Sequence, residues 1–457
     1  MKSLLASKAP MCSLAVTSIA WLIVATCAIY GLSIPALIAG VLAMIISGAP
    51  VAVAIGLPSL LFILITGSVP ALLSAHRMVA GIDSFPLIAI PFFIMAGALM
   101  NAAQITDKIF YFARTLVGWL PGGLGHVNVG ASVIFAGMSG AAVADAGGLG
   151  AVEIKAMREA GYDDDFAVGV TAASSTIGPI IPPSLPIVIY GVMANVSIGA
   201  LFAAGIVPGL LLAVTIMLMV AWYAWKRNYP VDTRFSLPVA TTAFWQALPS
   251  LLTPVIIIGG ILLGVFTPTE AAIAAVTWAT FLGICYRTLT IKKFISVSYE
   301  TLETTAAILF IVGAAALFAW ILTSHHVAEQ LATLLLGITE NRIVLLLLAT
   351  VLLLIIGCFL ETIAAITILT PVLLPVMVSA GVDPVHFGIV MILNLMLGLL
   401  TPPLGMVLYV LSRVANVPFT RCVSATMPFF FVLLFALLIV TLVPSISLFI
   451  PSIISGS

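Results

Sequence analysis

The residues best able to do chemistry in this sequence are oxygen-bearing and sit in two proline-rich stretches. "TAASSTIGPIIPPS" (171–184) places Ser174, Ser175 and Thr176 beside Pro179, Pro182 and Pro183. "NLMLGLLTPPLG" (394–405) places Asn394 and Thr401 beside Pro402 and Pro403. Proline has no N–H, so within a helix it leaves the carbonyl four residues earlier without its donor. By that rule Pro179 frees the carbonyl of Ser175, Pro182 that of Gly178 and Pro183 that of Pro179. Pro402 likewise frees Gly398, and Pro403 frees Leu399. An unpaired carbonyl in hydrocarbon is costly, and a hard cation that wants several oxygen ligands would satisfy it. The chemistry expected is therefore binding of an alkali cation such as Na+. Its candidate ligands are Ser174, Ser175, Gly178, Pro179, Asn394, Gly398 and Thr401. A simple proline kink, satisfied by nearby hydroxyls or water, is the competing reading. Two matching copies favour a site. An intramembrane serine nucleophile would need a base within reach, and neither stretch contains His or Lys.

Each broken stretch follows a polar, small-residue segment: "FAGMSGAAVADAGGLGAV" (135–152) and "GCFLETIAAITILTP" (357–371). Both read as re-entrant hairpins. Helix N-termini at a hairpin tip favour anions. A carboxylate held between the tips, with cations at the broken helices, is the consistent picture. Asp145 and Glu361 are the acids in these segments, and ionisable groups inside a membrane are functional candidates by default. Substrate contacts are expected from Ser139, Gly140, Asp145, Thr176, Pro182, Pro183, Pro402 and Pro403. Asn128, in "HVNVGAS", is either interhelical glue or part of the site lining.

These elements must be positioned by a membrane protein. Of 457 residues, 63% are hydrophobic and only 7% charged, against about a quarter charged in soluble domains. Acids and bases balance at 16 each, which gives no indication of nucleic-acid binding. Apolar runs long enough to cross a bilayer recur throughout, for example Pro208–Trp225, Pro249–Val265, Arg342–Cys358 and Pro428–Val443. Roughly 10–12 spans plus two hairpins are expected. The N-terminal apolar stretch reads as a retained first span rather than a cleaved signal, since no small-x-small site follows it. The five cysteines and the pair His325-His326 lack metal-ligand spacing.

The chain also repeats itself. Laid over its second half, Gly137 meets Gly357, Met157 meets Met377, Gly161 meets Gly381 and Asp163 meets Asp383. Gly178 then meets Gly398, and Pro182-Pro183 meets Pro402-Pro403. The loop carrying Lys155 and Arg158 has no basic residue in its counterpart at 371–385, as expected if equivalent loops face opposite sides of the membrane. Inverted repeats with interrupted helices are the signature of secondary transporters. The expected organisation is an N-terminal extension (1–35), a first repeat (36–225), a cytoplasmic connector (226–247) carrying Lys226, Arg227 and Arg234, a second repeat (248–445) and a C-terminal tail (446–457). The fold class is all-α and polytopic.

Five stretches carry a resemblance to a known family: "FPLIAIPFFIMAGALMNAAQI" (85–105), "GGLGHVNVGASVIFAGMSGAAVADAGGLG" (122–150), "FAVGVTAASSTIGPIIPPSLPIVIYG" (166–191), "GVFTPTEAAIAAV" (264–276) and "NLMLGLLTPPLGMVLYV" (394–410). With them the chain resembles the large membrane subunit (M, DctM-like) of tripartite ATP-independent periplasmic (TRAP) transporters, over roughly residues 36–445. It departs at Ala141, where the family often has serine, and in its first 30 residues. The resemblance implies import of a small organic acid into the cell, driven by a sodium gradient across the bacterial inner membrane. It implies two partners, a small four-helix membrane (Q) subunit and a periplasmic substrate-binding protein (P subunit). It also implies an elevator-type fold with a transport domain moving against a scaffold. Carried to matching positions, it adds Ser139 and either Glu361 or Thr362 to the sodium candidates. A receptor-independent symporter or exchanger of the same superfamily is the alternative.

Overall fold

The computed structural model describes residues 33–455 apart from 68, 104, 230, 233–235 and 340. The expected first span before Ser33, and the side chain of Ser139, lie outside what is described. All regular structure among the described residues is helical. The cause is local. In hydrocarbon each backbone N–H and C=O must find a partner, and a helix supplies it within one segment.

Among the described residues, seven helices are long and apolar enough to cross a membrane: Phe85–Ala102, Ile198–Arg227, Leu237–Leu262, Pro268–Cys285, Ile291–Ser324, Thr362–Ser379 and Phe419–Leu442. Seven shorter apolar helices accompany them, among them Gly123–Gly137, Leu185–Ala194, Arg342–Gly357 and Pro384–Gly398. Among the described residues, fewer helices reach 18 residues than the 10–12 spans expected. The reason is that several apolar runs are interrupted by proline and glycine before they reach bilayer length. The "FTPTEA" break is a clear boundary: Thr267 Oγ1 accepts from the Glu270 N–H while the Glu270 carboxylate accepts from the Thr267 N–H at 2.8 Å. This reciprocal capping box starts Pro268–Cys285.

Two compact units can be distinguished. The smaller comprises 33–84, 306–338 and 367–376. Its core joins Leu37, Val41, Ile55 and Phe62 to Leu317, Phe318 and Ile321. The larger comprises 85–305, 339–366 and 377–455. One of its cores gathers Leu99, Met100, Ile109, Val127, Phe135, Leu149 and Leu282. Both broken stretches and the turns that precede them fall within the larger unit.

A candidate cation and solute site at paired helix breaks

In the first broken stretch the helix Asp164–Ser175 ends, the chain runs through a turn, and Leu185–Ala194 begins. In the second, Pro384–Gly398 ends and Met406–Val414 begins. The prolines therefore lie between helices, not inside them. This corrects the carbonyl bookkeeping expected from sequence, because a donor four residues on is lost when the helix stops, whatever residue stands there. The Gly398 carbonyl is taken up by Thr401, whose N–H donates at 3.1 Å and whose hydroxyl donates at 2.8 Å. The Pro179 carbonyl accepts from the Ser184 hydroxyl, which also caps the next helix by accepting from the Ile187 N–H at 3.2 Å. No donor among the described residues reaches the carbonyls of Gly178 or Leu399.

Each break is closed by the turn that precedes it. In the first, the helix Gly123–Ser139 turns at Gly140 into the six-residue helix Ala142–Gly147. Gly140 has a left-handed backbone (φ 58°), and a Cβ there would lie 2.7 Å from the Pro183 carbonyl oxygen, so only glycine lets the turn meet the break. In the second, Arg342–Gly357 turns through residues 358–361 into Thr362–Ser379. Here the Leu404 N–H donates to the Cys358 carbonyl at 3.3 Å, and a Cβ on Gly398 would lie 2.5–2.6 Å from the Gly357 backbone. The post-break helices Met406–Val414 and Leu185–Ala194 pack respectively on Ala142–Gly147 and on Pro384–Gly398. Tyr190 fixes the latter contact by donating to the Pro384 carbonyl at 2.7 Å.

The hydroxyls of the first break are buried and oriented. Ser175 and Thr176 donate back to the carbonyls of Ala172 (2.9 Å) and Ala173 (2.6 Å), leaving lone pairs for another partner. Ser174 instead donates across to Asn128 Oδ1 at 2.6 Å. The Asn128 amide nitrogen donates to Glu153 Oε2 and to Thr171 Oγ1, each at 2.7 Å. Asn128, undecided from sequence, is therefore interhelical glue that holds a candidate ligand. Sequence reasoning passed over Glu153 because it lies in the charged-looking run "AVEIKAMREAGYDDD". Its position between apolar Val152 and Ile154 is the signal that it faces inward, and it is 1% exposed. Its other oxygen, Oε1, has no hydrogen-bond partner. Asp145, also 1% exposed, has the Ser132 hydroxyl beside its carboxylate.

In the second break Asn394 is fully buried, with Nδ2 donating to the Val390 carbonyl at 2.7 Å and Oδ1 unpartnered. The Thr362 hydroxyl is likewise buried and unpartnered. Glu361 caps the helix that follows it: Oε2 accepts from the N–H groups of Ile363 (3.1 Å) and Ala364 (3.2 Å). This capping role was not legible in the sequence. Buried polar groups in folded proteins nearly always find a partner. At the second break, the unpartnered oxygens of Asn394 and Thr362 are therefore available to a polar or charged ligand. The oxygen-only donor set suits a hard cation. Among the described residues no His, Cys, Asp and Glu cluster of metal-binding type occurs.

A multi-pass all-α membrane protein with two matching helix breaks, each lined by buried polar groups, is of the secondary-transporter class. Residues 38–446 match the family described as tripartite ATP-independent periplasmic transporter, DctM component, and the chain belongs to that family as the large permease (M) subunit of a TRAP transporter. It is 48% identical over 418 residues to the sialic acid TRAP transporter large permease protein SiaM of Vibrio cholerae, covering 91% of this chain and 98% of that one. It is 39% identical to the sialic acid TRAP transporter permease protein SiaT of Haemophilus influenzae, covering 89% of this chain and 66% of that protein. Among solved structures it resembles the YdaH transporter of Alcanivorax borkumensis, with a TM-score of 0.60 over 80% of this chain and 86% of that one. At 16% identity that likeness speaks to the fold alone. Membership makes the protein a multi-pass inner-membrane transporter, not an enzyme, that moves small solutes by coupling to an ion gradient.

Proposed function

We propose that this chain imports a small organic acid by coupling it to sodium, receiving the acid from a periplasmic binding protein (P subunit) and working with a small four-helix membrane (Q) subunit. Sialic acid is the first substrate to test, given the names of the relatives SiaM and SiaT. The observation that carries the reading is the set of buried oxygens without partners at the two breaks: Asn394 Oδ1 and Thr362 Oγ1 at one, and the Gly178 carbonyl at the other. Sodium ligands are taken to be Ser139, Ser174, Ser175, Gly178 and Pro179 in one half. In the other they are Glu361 or Thr362, Asn394, Gly398 and Thr401. Gly140, Asp145, Thr176 and the two proline pairs would face the solute.

The two turn-and-break assemblies are read as inverted repeats, 36–225 and 248–445, joined by a cytoplasmic connector at 226–247. The extension 1–35 and the tail 446–457 lie outside them. In support, both breaks share one pattern of helix, turn and helix, and the post-break helix of one packs on an element of the other. The turns are read as re-entrant hairpin tips in a transport domain that moves elevator-fashion against a scaffold. Coupling follows if sodium at the breaks stabilises the arrangement of the tips that holds the solute, so that each ligand raises the affinity for the other. The test is uptake of labelled sialic acid into proteoliposomes containing the chain and its partners. Uptake should require an inward sodium gradient and the binding protein. Equal uptake with potassium in place of sodium would overturn the coupling, and uptake without the binding protein would favour the receptor-independent alternative.

A further inference from the structure

Behind the first break, the helix Leu149–Glu159 turns Glu153 into the protein interior. Gly150 and Glu153 stand three residues apart and so share one face of that helix. A Cβ on Gly150 would lie 2.7 Å from Thr171 Cγ2 and 3.5 Å from the Asp145 carbonyl oxygen. That face is therefore pressed against both Asp164–Ser175 and Ala142–Gly147. Asp145 lies near enough for its charge to act on Glu153, and both acids are buried.

No cationic side chain pairs with either acid among the described residues. The helices packed on Leu149–Glu159 are Gly123–Ser139, Ala142–Gly147, Asp164–Ser175 and Met406–Val414. Besides Asp145, their titratable groups are His126, Asp164, Asp165, Tyr409 and Arg413. His126 stands two residues from Asn128, a spacing that turns the two side chains to different faces. Asp164 is taken by Arg158 and Asp165 by Arg421, each at 2.6 Å. Tyr409 and Arg413 are exposed. On the helix itself, Lys155 is exposed and faces Glu159.

The donors available to the two acids are few. Glu153 receives the Asn128 N–H on Oε2, and none on Oε1. Asp145 has the Ser132 hydroxyl beside it. Two neighbouring carboxylates buried without a compensating cation cannot both ionise, and one of them keeps its proton. Glu153 Oε1 is the oxygen with room for it. Oε2 already accepts from Asn128, as the carbonyl oxygen of a neutral acid does.

We propose that Glu153 is a proton-binding site: Oε1 carries a proton in the folded protein at neutral pH, so that the buried pair holds one negative charge and not two. The proton lies two hydrogen bonds from Ser174, through Asn128. Its loss would set a second negative charge behind the first break. The site does not depend on the sodium reading, since neither acid is a proposed sodium ligand.

The test uses the full purified chain in detergent and reads the infrared C=O stretch of protonated carboxyl groups, which stands apart from the amide and carboxylate bands. The unaltered protein at neutral pH should show this band. Glu153→Gln, whose amide oxygen can still accept from Asn128, should lose intensity there, and Asp145→Asn should retain it. Equal intensity in Glu153→Gln and the unaltered protein, or loss of the band in Asp145→Asn, would overturn the proposal. Thermal unfolding gives a second readout. The unfolded chain releases the Glu153 proton above about pH 4.3, and a folded state that still holds it loses stability as pH rises. Between roughly pH 5 and pH 8 the midpoint of the unaltered protein should therefore fall relative to that of Glu153→Gln. A constant difference across that range would also overturn the proposal and leave Glu153 as a structural acceptor for Asn128.

Discussion

The Ser174 hydroxyl lies 2.6 Å from Asn128 Oδ1, and through that one amide it is tied to Glu153 on a third helix. Two consequences follow. The Ser174 hydroxyl donates to asparagine at 2.6 Å, with the Thr171 carbonyl a longer second acceptor at 3.2 Å, so its oxygen lone pairs point elsewhere. The end of Asp164–Ser175 is also anchored to the helix Gly123–Ser139 and, through it, to Leu149–Glu159.

Replacing Asn128 by alanine strands Glu153, Thr171 and Ser174 together in a buried site. Losing partners for buried groups costs about 1–3 kcal/mol each, more for a charged one. Asn128→Ala should therefore lower the thermal unfolding midpoint more than any single hydroxyl deletion in the break. It should also weaken the sodium dependence of uptake, although Asn128 is not itself proposed as a ligand. An unchanged midpoint would show that the network carries no stability.

Ser174 and Ser175 separate two roles. Ser175 bonds only within its own helix, to the Ala172 carbonyl at 2.9 Å, whereas Ser174 bonds across helices. Ser175→Ala should be nearly neutral for folding, while Ser174→Ala should cost about 1 kcal/mol. Both should raise the sodium concentration needed for half-maximal uptake. A sodium curve identical to that of the unaltered protein in both variants would remove these hydroxyls from the ion site.

At the second break, an added methyl tests the closeness of turn and helix. A Cβ on Gly398 would stand 2.5 Å from the Gly357 carbonyl carbon, a main-chain atom with no rotamer to move. A Cβ on Gly357 would stand 3.2 Å from the Gly398 Cα, a contact that small shifts can relieve. Overpacking of this kind costs about 1–3 kcal/mol, occasionally more. Gly398→Ala should be clearly less stable than Gly357→Ala, as read from the yield of monodisperse protein and its unfolding midpoint. The reverse order would mean that the two segments do not touch.

Near the connector, Arg114 grips Asp232 with two bonds, Nε to Oδ2 at 2.6 Å and Nη2 to Oδ1 at 2.7 Å. The Asp232 side chain is only 7% exposed, and its N–H donates to the Gly118 carbonyl at 3.1 Å. Bidentate geometry and burial place this pair above an ordinary surface bridge. Asp232→Asn should destabilise by about 1–2 kcal/mol, and a double-mutant cycle with Arg114→Gln should give a coupling of similar size. A coupling near zero would show the clamp to be incidental.

The sequence by itself determined the all-α membrane character, since hydrocarbon forces each span to satisfy its own backbone and composition records that directly. It also determined where the helices break, because proline and glycine act locally and the breaks fall at "TIGPIIPP" and "LLTPP". Family membership was readable for the same reason: the motifs are contiguous. Tertiary structure decided which of the exposed oxygens lack partners. Proline spacing assigned a free carbonyl to Gly398, but Thr401 takes it up, while Asn394 Oδ1 and Thr362 Oγ1 are the unpartnered atoms. Only folding could show that Asn128 bridges Glu153 and Ser174, or that Glu361 caps its own helix. A hydrogen bond is settled by what lies within about 3 Å in space, and along this chain those partners are often dozens of residues apart.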